Sequence, residues 1–323
     1  MFKREKELML FNLPPNKSSL EGLFLFLFVY VGASLFASAL TGPLYSAILW
    51  FDSAIPCRAT KWLVGYEIDT YYDRLRWIPI IVGLPWMMKR CGLFSLRNIG
   101  LPISAQSAYI FFKCFLAGFC VAAAIFGCQY AFGDVSWRGS AAREVVGVVA
   151  ASLAGALLVA FLEELVFRCL IMRSIYTAFG AVSAVVLTSL FFAYKHFKVP
   201  DHILRESLPG GAHASSWDIG YYVCYYDAIG ISMLFNPVIF SCLTVFGAVL
   251  AMIYIRTKVL WGPIALHSGI VFAMLSYGKL FVQKETKLSP FLGGGGMTEG
   301  YLALGLLSAV LLVLIFGWRK RAK

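Results

Sequence analysis

The chain is organised as long uncharged runs separated by short charged stretches. Residues 23–51, 114–133, 145–162, 174–194, 228–255, 259–278 and 300–318 contain no Asp, Glu, Lys or Arg, and 77–88 is a shorter run of the same kind. A helix crossing a hydrocarbon core of about 30 Å needs roughly 20 residues. Backbone polar groups in lipid must be satisfied within the segment, and runs this long, rich in Leu, Ala and Gly, suit helices rather than the alternating strands of a barrel. The pattern therefore predicts an all-α, polytopic integral membrane protein with about eight transmembrane helices. Gly42-Pro43 predicts an end to the first helix, with 44–51 lying along the interface, and Pro79 and Pro85 predict an irregular second helix.

Composition agrees with the pattern and removes other classes. The 323 residues are 60% hydrophobic and 14% charged, against roughly 25% charged in a soluble domain, which excludes a water-soluble globule. There are 28 Lys+Arg against 17 Asp+Glu, net +11, a balance that in a soluble protein would raise nucleic acid as a partner. Here the basic residues read as topology determinants facing membrane lipids, with no nucleic acid. With eight crossings and a cytoplasmic start, 15 basic residues fall inside, Arg168 and Arg173 among them, and 11 outside, which predicts both termini to be cytoplasmic. The domain reading is a cytoplasmic leader at 1–22, one transmembrane helical domain at 23–318 and a basic cytoplasmic tail at 319–323.

The connecting segments carry less chemistry. The loop at 197–227 holds Pro200, His202, Pro209-Gly210-Gly211, His213 and the pairs Tyr221-Tyr222 and Tyr225-Tyr226; interfacial anchoring and a substrate gate are the two readings. Gly293 to Gly296 is a connector, since no strand precedes it and no Lys-Ser/Thr follows. No CxxC occurs among the eight cysteines, and Cys57 with Cys224 is the one pair placed to form a disulfide. No internal repeat is evident.

Ionisable residues at membrane depth are costly and mark function, and one dense group stands out. Phe161-Leu162-Glu163-Glu164-Leu165-Val166-Phe167-Arg168 continues the run that begins at Val145, so two adjacent carboxylates extend a hydrophobic helix into its final turns. Glu164 and Arg168 are four apart, on one face where they can pair. Glu163 lies about 100° round the helix, free for a different partner. The competing reading is a helix-end ion pair at the membrane interface. The next helix ends in Phe192-Ala193-Tyr194-Lys195-His196, and a later one contains His267 within Trp261-Gly262-Pro263-Ile264-Ala265-Leu266-His267-Ser268-Gly269. His196 reads as a base partner, a metal ligand or an interfacial histidine; His267 reads as functional or as a ring satisfied by a backbone carbonyl. A Glu and two His from three helices can converge on one polar pocket and activate water there.

These elements resemble the signature of the CAAX protease and bacteriocin-processing family, which includes intramembrane endopeptidases of the Ras-converting type. That pattern is EExxxR, then FxxxH, then HxxxN or HxxxD on successive core helices. Glu163, Glu164 and Arg168 match the first element, Phe192 and His196 the second, and His267 the start of the third, while position 271 is Val. The resemblance covers about 145–275. It implies an endopeptidase acting on a membrane-associated peptide or protein, with Glu163 and His196 activating the attacking water, His267 helping to form the oxyanion site, and Glu164 with Arg168 holding the helix. Val271 has no hydrogen bond to give, so the oxyanion would rest on His267 alone or on another donor such as Ser268. A metal-free site is the favoured expectation; a zinc ion held by Glu163, His196 and His267 is the alternative. Val271 also motivates a second function, a catalytically reduced scaffold or immunity-type protein of the same fold. A transporter with Glu163 and His196 as a proton relay is a third, disfavoured by the absence of paired broken helices.

Overall fold

The computed structural model describes residues 21–319 apart from 94, 198–203, 205, 210–215, 234, 285 and 295. The leader up to residue 20, the tail beyond 319, His202 and His213 lie outside the described residues.

The described chain is all-α but for one short strand pair. Its helices are α1 (Glu21–Ala54), α2 (Arg58–Val64), α3 (Ile68–Arg90), α4 (Leu96–Ile99), α5 (Ala105–Ala131), α6 (Ala142–Glu164), α7 (Arg173–His196), α8 (Ile219–Met233), α9 (Pro237–Thr257), α10 (Trp261–Leu280), α11 (Ser289–Leu292) and α12 (Tyr301–Arg319). Between α6 and α7 the backbone continues as a π-helical segment, Leu165–Met172. The strands β1 (Val135–Trp137) and β2 (Phe281–Gln283) pair antiparallel, Ser136 opposite Val282.

Each uncharged run is mostly helical, but the boundaries differ. Four helical stretches of the described residues are long and apolar enough to cross a membrane: Glu21–Ala54, Ala105–Ala131, Ala142–His196 and Pro237–Thr257. Tyr301–Gly317 is a shorter apolar helix. The expected count of eight crossings is therefore not reproduced. One reason is that helix runs unbroken from the run 145–162 through residues 163–173 into the run 174–194, as far as Gly180. The chain does not turn at the charged residues 163–173; it turns at Gly180, whose φ of 84° and ψ of 178° belong to a region open essentially to glycine. Arg168 and Arg173 are consequently buried inside protein and are not the loop charges that the orientation argument counted.

Further corrections concern prolines, tyrosines and one disulfide. Pro43 lies inside α1, which continues to Ala54, and α3 carries both Pro79 and Pro85. The run 228–255 is divided at Asn236-Pro237, where the Asn236 side chain accepts from the backbone N–H of Val238 at 2.9 Å and Ile239 at 3.2 Å and Pro237 opens α9, a helix start of ordinary chemistry. The four tyrosines assigned to a loop sit on α8. Cys57 and Cys224 are both free thiols.

The chain divides into two compact units. One is built from Cys91–His196 and the chain from Asn236 onward, the other from Leu23–Arg90 and Phe197–Phe235. In the second unit Ala37, Tyr45, Ile68, Tyr71, Tyr72, Leu75, Ile219 and Val223 form the packed core. In the first, all eight residues of the π segment are buried, so this turn is enclosed by protein on every side. Many large apolar side chains on the outer faces are exposed, Phe112, Leu158, Val182 and Val313 among them. In water such a surface would drive association; in lipid it is the surface that the solvent requires.

Candidate active site

Three helices and the π segment of the first unit bring together all five charged or imidazole residues singled out in the sequence. α6 supplies Glu163 and Glu164, the π segment Arg168, α7 His196 and α10 His267. Adjacent residues on a helix point about 100° apart, so the two carboxylates address different partners.

Glu164 is the buried one. Its Oε2 lies 3.1 Å from Arg168 Nε, with both side chains at 0% exposure, and its Oε1 accepts from His267 Nδ1 at 3.0 Å. Arg168 also donates through Nη2 to the Gly247 carbonyl at 3.2 Å. Its guanidinium stands over the Phe192 and Phe167 rings, 5.6 and 5.9 Å from their centroids. Nε and Nη1 of Arg168 make no hydrogen bond among the described residues, so the buried cation rests on the ion pair, the Gly247 carbonyl and the two rings. Gly247 is itself a close contact: a Cβ there would fall 3.0 Å from Ser189 Cα on α7. Its lack of a side chain lets α9 approach near enough to offer that carbonyl.

Glu163 faces the opposite way, toward two imidazole edges. Its Oε2 is 3.6 Å from His196 Nε2 and 3.9 Å from His267 Nε2. That oxygen has no hydrogen-bond partner among the described residues. His196 Nδ1 donates to the Phe192 carbonyl at 2.7 Å, because a carbonyl can only accept. Both rings thus spend Nδ1 on an anchor and present Nε2 to the same carboxylate oxygen. The phenylalanine of the second sequence element packs against the His196 ring, 4.1 Å between centroids, and Phe246 meets the His267 ring edge-on at 5.3 Å. The cluster is graded in exposure, with His196 at 31%, Glu163 at 16% and His267 at 3%, so it is reached from the His196 side.

Two expectations change. The Ser268 hydroxyl donates to the Ile264 carbonyl at 2.7 Å and is not a spare donor. The carboxylates are not in the last turns of a helix either, since the π segment and α7 continue beyond them. π turns recur at functional sites, and nothing in the apolar pattern of 165–172 marks one. Sequence reasoning also missed the packing that holds His267 in place. A Cβ on Gly118 would strike the Leu266 carbonyl, and one on Gly269 the Phe115 carbonyl, so α5 and α10 touch backbone to backbone on either side of the histidine. Glycines within apolar helices were the available signal.

Residues 145–273 match a protein-family model described as Type II CAAX prenyl endopeptidase Rce1-like. Over this span the chain is similar to the Rce1-like family. The Rce1-like span is less than half of the chain; it runs from α6 into α10 and contains all five residues of the cluster. No curated protein and no solved structure matches the chain.

The donor types Glu163, His196 and His267 suit zinc, yet no group of three or more His, Cys, Asp or Glu among the described residues is arranged to hold a metal ion.

Proposed function

We propose that the protein is an intramembrane endopeptidase that hydrolyses a peptide bond of a membrane-anchored substrate with a water shared by Glu163 and His196. One observation carries this reading: a carboxylate oxygen without a hydrogen-bond partner faces two imidazole nitrogens at 3.6 and 3.9 Å. At these separations the groups are too far apart to bond directly, and a water bonded to both would lie to one side of the pair and not between them.

In the proposed reaction the water donates one proton toward Glu163, assisted by His196, as its oxygen attacks the scissile carbonyl carbon. The C–O bond forms and the carbonyl oxygen becomes an oxyanion, while His267 Nε2, whose ring proton is on Nδ1 toward Glu164, faces the water as an acceptor. Collapse breaks the C–N bond, and the proton taken from water passes to the departing amine. Because α10 carries Val271 in place of a hydrogen-bonding residue, this chain has fewer oxyanion donors than the family pattern provides. The same position is what supports the second reading, a catalytically reduced scaffold. The match to a family described as prenyl endopeptidases supports a lipid-anchored peptide as substrate.

The test is cleavage of prenylated and unmodified peptides by the full-length protein in lipid nanodiscs. Cleavage lost in Glu163→Gln with helical content retained is the expected result. Absence of turnover in the wild-type protein across such peptides favours the scaffold. Elemental analysis with chelator treatment accompanies it: stoichiometric zinc whose removal abolishes turnover would replace the metal-free reaction.

A further inference from the structure

We infer that Glu164 is a positioning residue that acts through His267, fixing which ring nitrogen faces Glu163. The inference rests on the reading of Glu163, His196 and His267 as the reacting cluster. Its evidence is the way the two oxygens of Glu164 are divided: Oε2 is given to Arg168 at 3.1 Å and Oε1 to His267 Nδ1 at 3.0 Å. Neither side chain of the Glu164–Arg168 pair has any exposed surface, and His267 is 3% exposed. The carboxylate is a fixed strut between the π segment and α10, and its far end is braced in turn by Arg168 on the Gly247 carbonyl.

A carboxylate accepts, so the proton of a neutral His267 sits on Nδ1, and the lone pair of Nε2 is left facing Glu163. Which nitrogen of a histidine is protonated is set by the bond that the other makes. The remaining contacts of the ring do not make this choice. Phe246 and Phe192 meet it edge-on, at 86° and 70° between planes, which holds the ring plane but treats its two nitrogens alike. Ser268 is committed to Ile264, and Val271 has no polar atom. Orientation of the one polar group that α10 contributes here therefore depends on Glu164. In this view the pairing with Arg168 is the means of holding the carboxylate still, not its purpose.

The alternative is that Glu164 only neutralises Arg168, and two double variants separate these roles while avoiding a lone buried charge. Glu164→Leu with Arg168→Met removes both charges and the acceptor; replacements of this kind for a buried pair commonly keep the fold. Glu164→Gln with Arg168→Met removes both charges and keeps an acceptor. The readouts are the His267 tautomer, from nitrogen NMR of the histidine-labelled full-length protein in nanodiscs, and kcat against KM for peptide cleavage. The expected result is an Nδ1–H tautomer in the wild type and the glutamine variant, and its loss in the leucine variant. In the leucine variant kcat falls at least about tenfold below that of the glutamine variant at similar KM. An unchanged tautomer in the leucine variant, or equal loss of kcat in both, overturns the inference. The tautomer readout stands without turnover, so failure of the proposed protease activity and failure of this inference are told apart.

Discussion

Each of the two units encloses an arginine among helices, and the two arginines differ in what their carboxylates are left to do. In the second unit Arg76 on α3 donates to Asp73 at 2.6 Å, to Asp227 on α8 and to Tyr30 on α1 at 3.1 Å, and lies over the Tyr30 and Tyr72 rings. Both acids bond to the cation directly, so the group reads as a tie across three helices. In the first unit Arg168 takes up one carboxylate, Glu164, while its neighbour Glu163 keeps an oxygen with no hydrogen-bond partner, turned toward two imidazoles. Charge that is met by opposite charge stabilises; a carboxylate oxygen held beside two imidazoles without a hydrogen-bond partner is available for chemistry. The contrast separates a structural buried cluster from the one proposed to react, without reference to any family.

The largest effect that sharpens this contrast is on turnover. Glu163→Gln and His196→Gln should each lower kcat by about 10²–10⁴-fold, the usual worth of general acid–base groups, with circular dichroism unchanged. The corresponding change in the other unit should act on stability. Arg76→Met leaves two carboxylates facing each other and should cost about 3 kcal/mol, the low end for breaking a buried pair, because Asp73 and Asp227 retain some exposure. Thermal unfolding in detergent measures it, and an unshifted midpoint would remove the structural role assigned to Arg76.

Packing effects come next. Gly269→Leu drives a side chain into the backbone of α5, where even a Cβ would lie 2.8 Å from Phe119 N. It should destabilise by about 1–3 kcal/mol and lower turnover through displaced His267; full activity at unchanged stability would show that the α5–α10 contact does not hold the site. The smallest effect is a gain. Val271→Asn should raise kcat by about tenfold or less, since removing one oxyanion donor elsewhere costs about 10²–10³-fold. No gain would mean that the oxyanion is already satisfied by a group other than α10.

The sequence made the helices legible because lipid demands uncharged runs, and it made the cluster legible because Glu163, His196 and His267 interrupt such runs. Its errors have a common cause. Charge was read as the edge of a membrane segment, so Arg168 and Arg173 became loop residues and a helix end was placed among residues 163–173. Buried pairing with Glu164 cancels the cost that argument assumed, and the turn moved to Gly180, a residue whose positive φ leaves no trace in hydropathy. Pro43 misled in the same direction. Pro43, Pro79 and Pro85 lie within helices, while Pro237, preceded by a capping Asn236, starts one; only the cap distinguishes the two situations. The division of labour between the carboxylates was readable from the 100° step. The Glu164–His267 bond was not, because it joins residues 103 positions apart.

The central claim is that Glu163 and His196 act on one shared water, and a double-mutant cycle tests it most directly. Cleavage rates of the wild type, Glu163→Gln, His196→Gln and the combined variant would be measured in nanodiscs with one lipidated peptide. Groups that act as a unit are strongly non-additive, so the combined variant should be no slower than the slower single variant. A combined loss equal to the product of the two single losses would contradict the account.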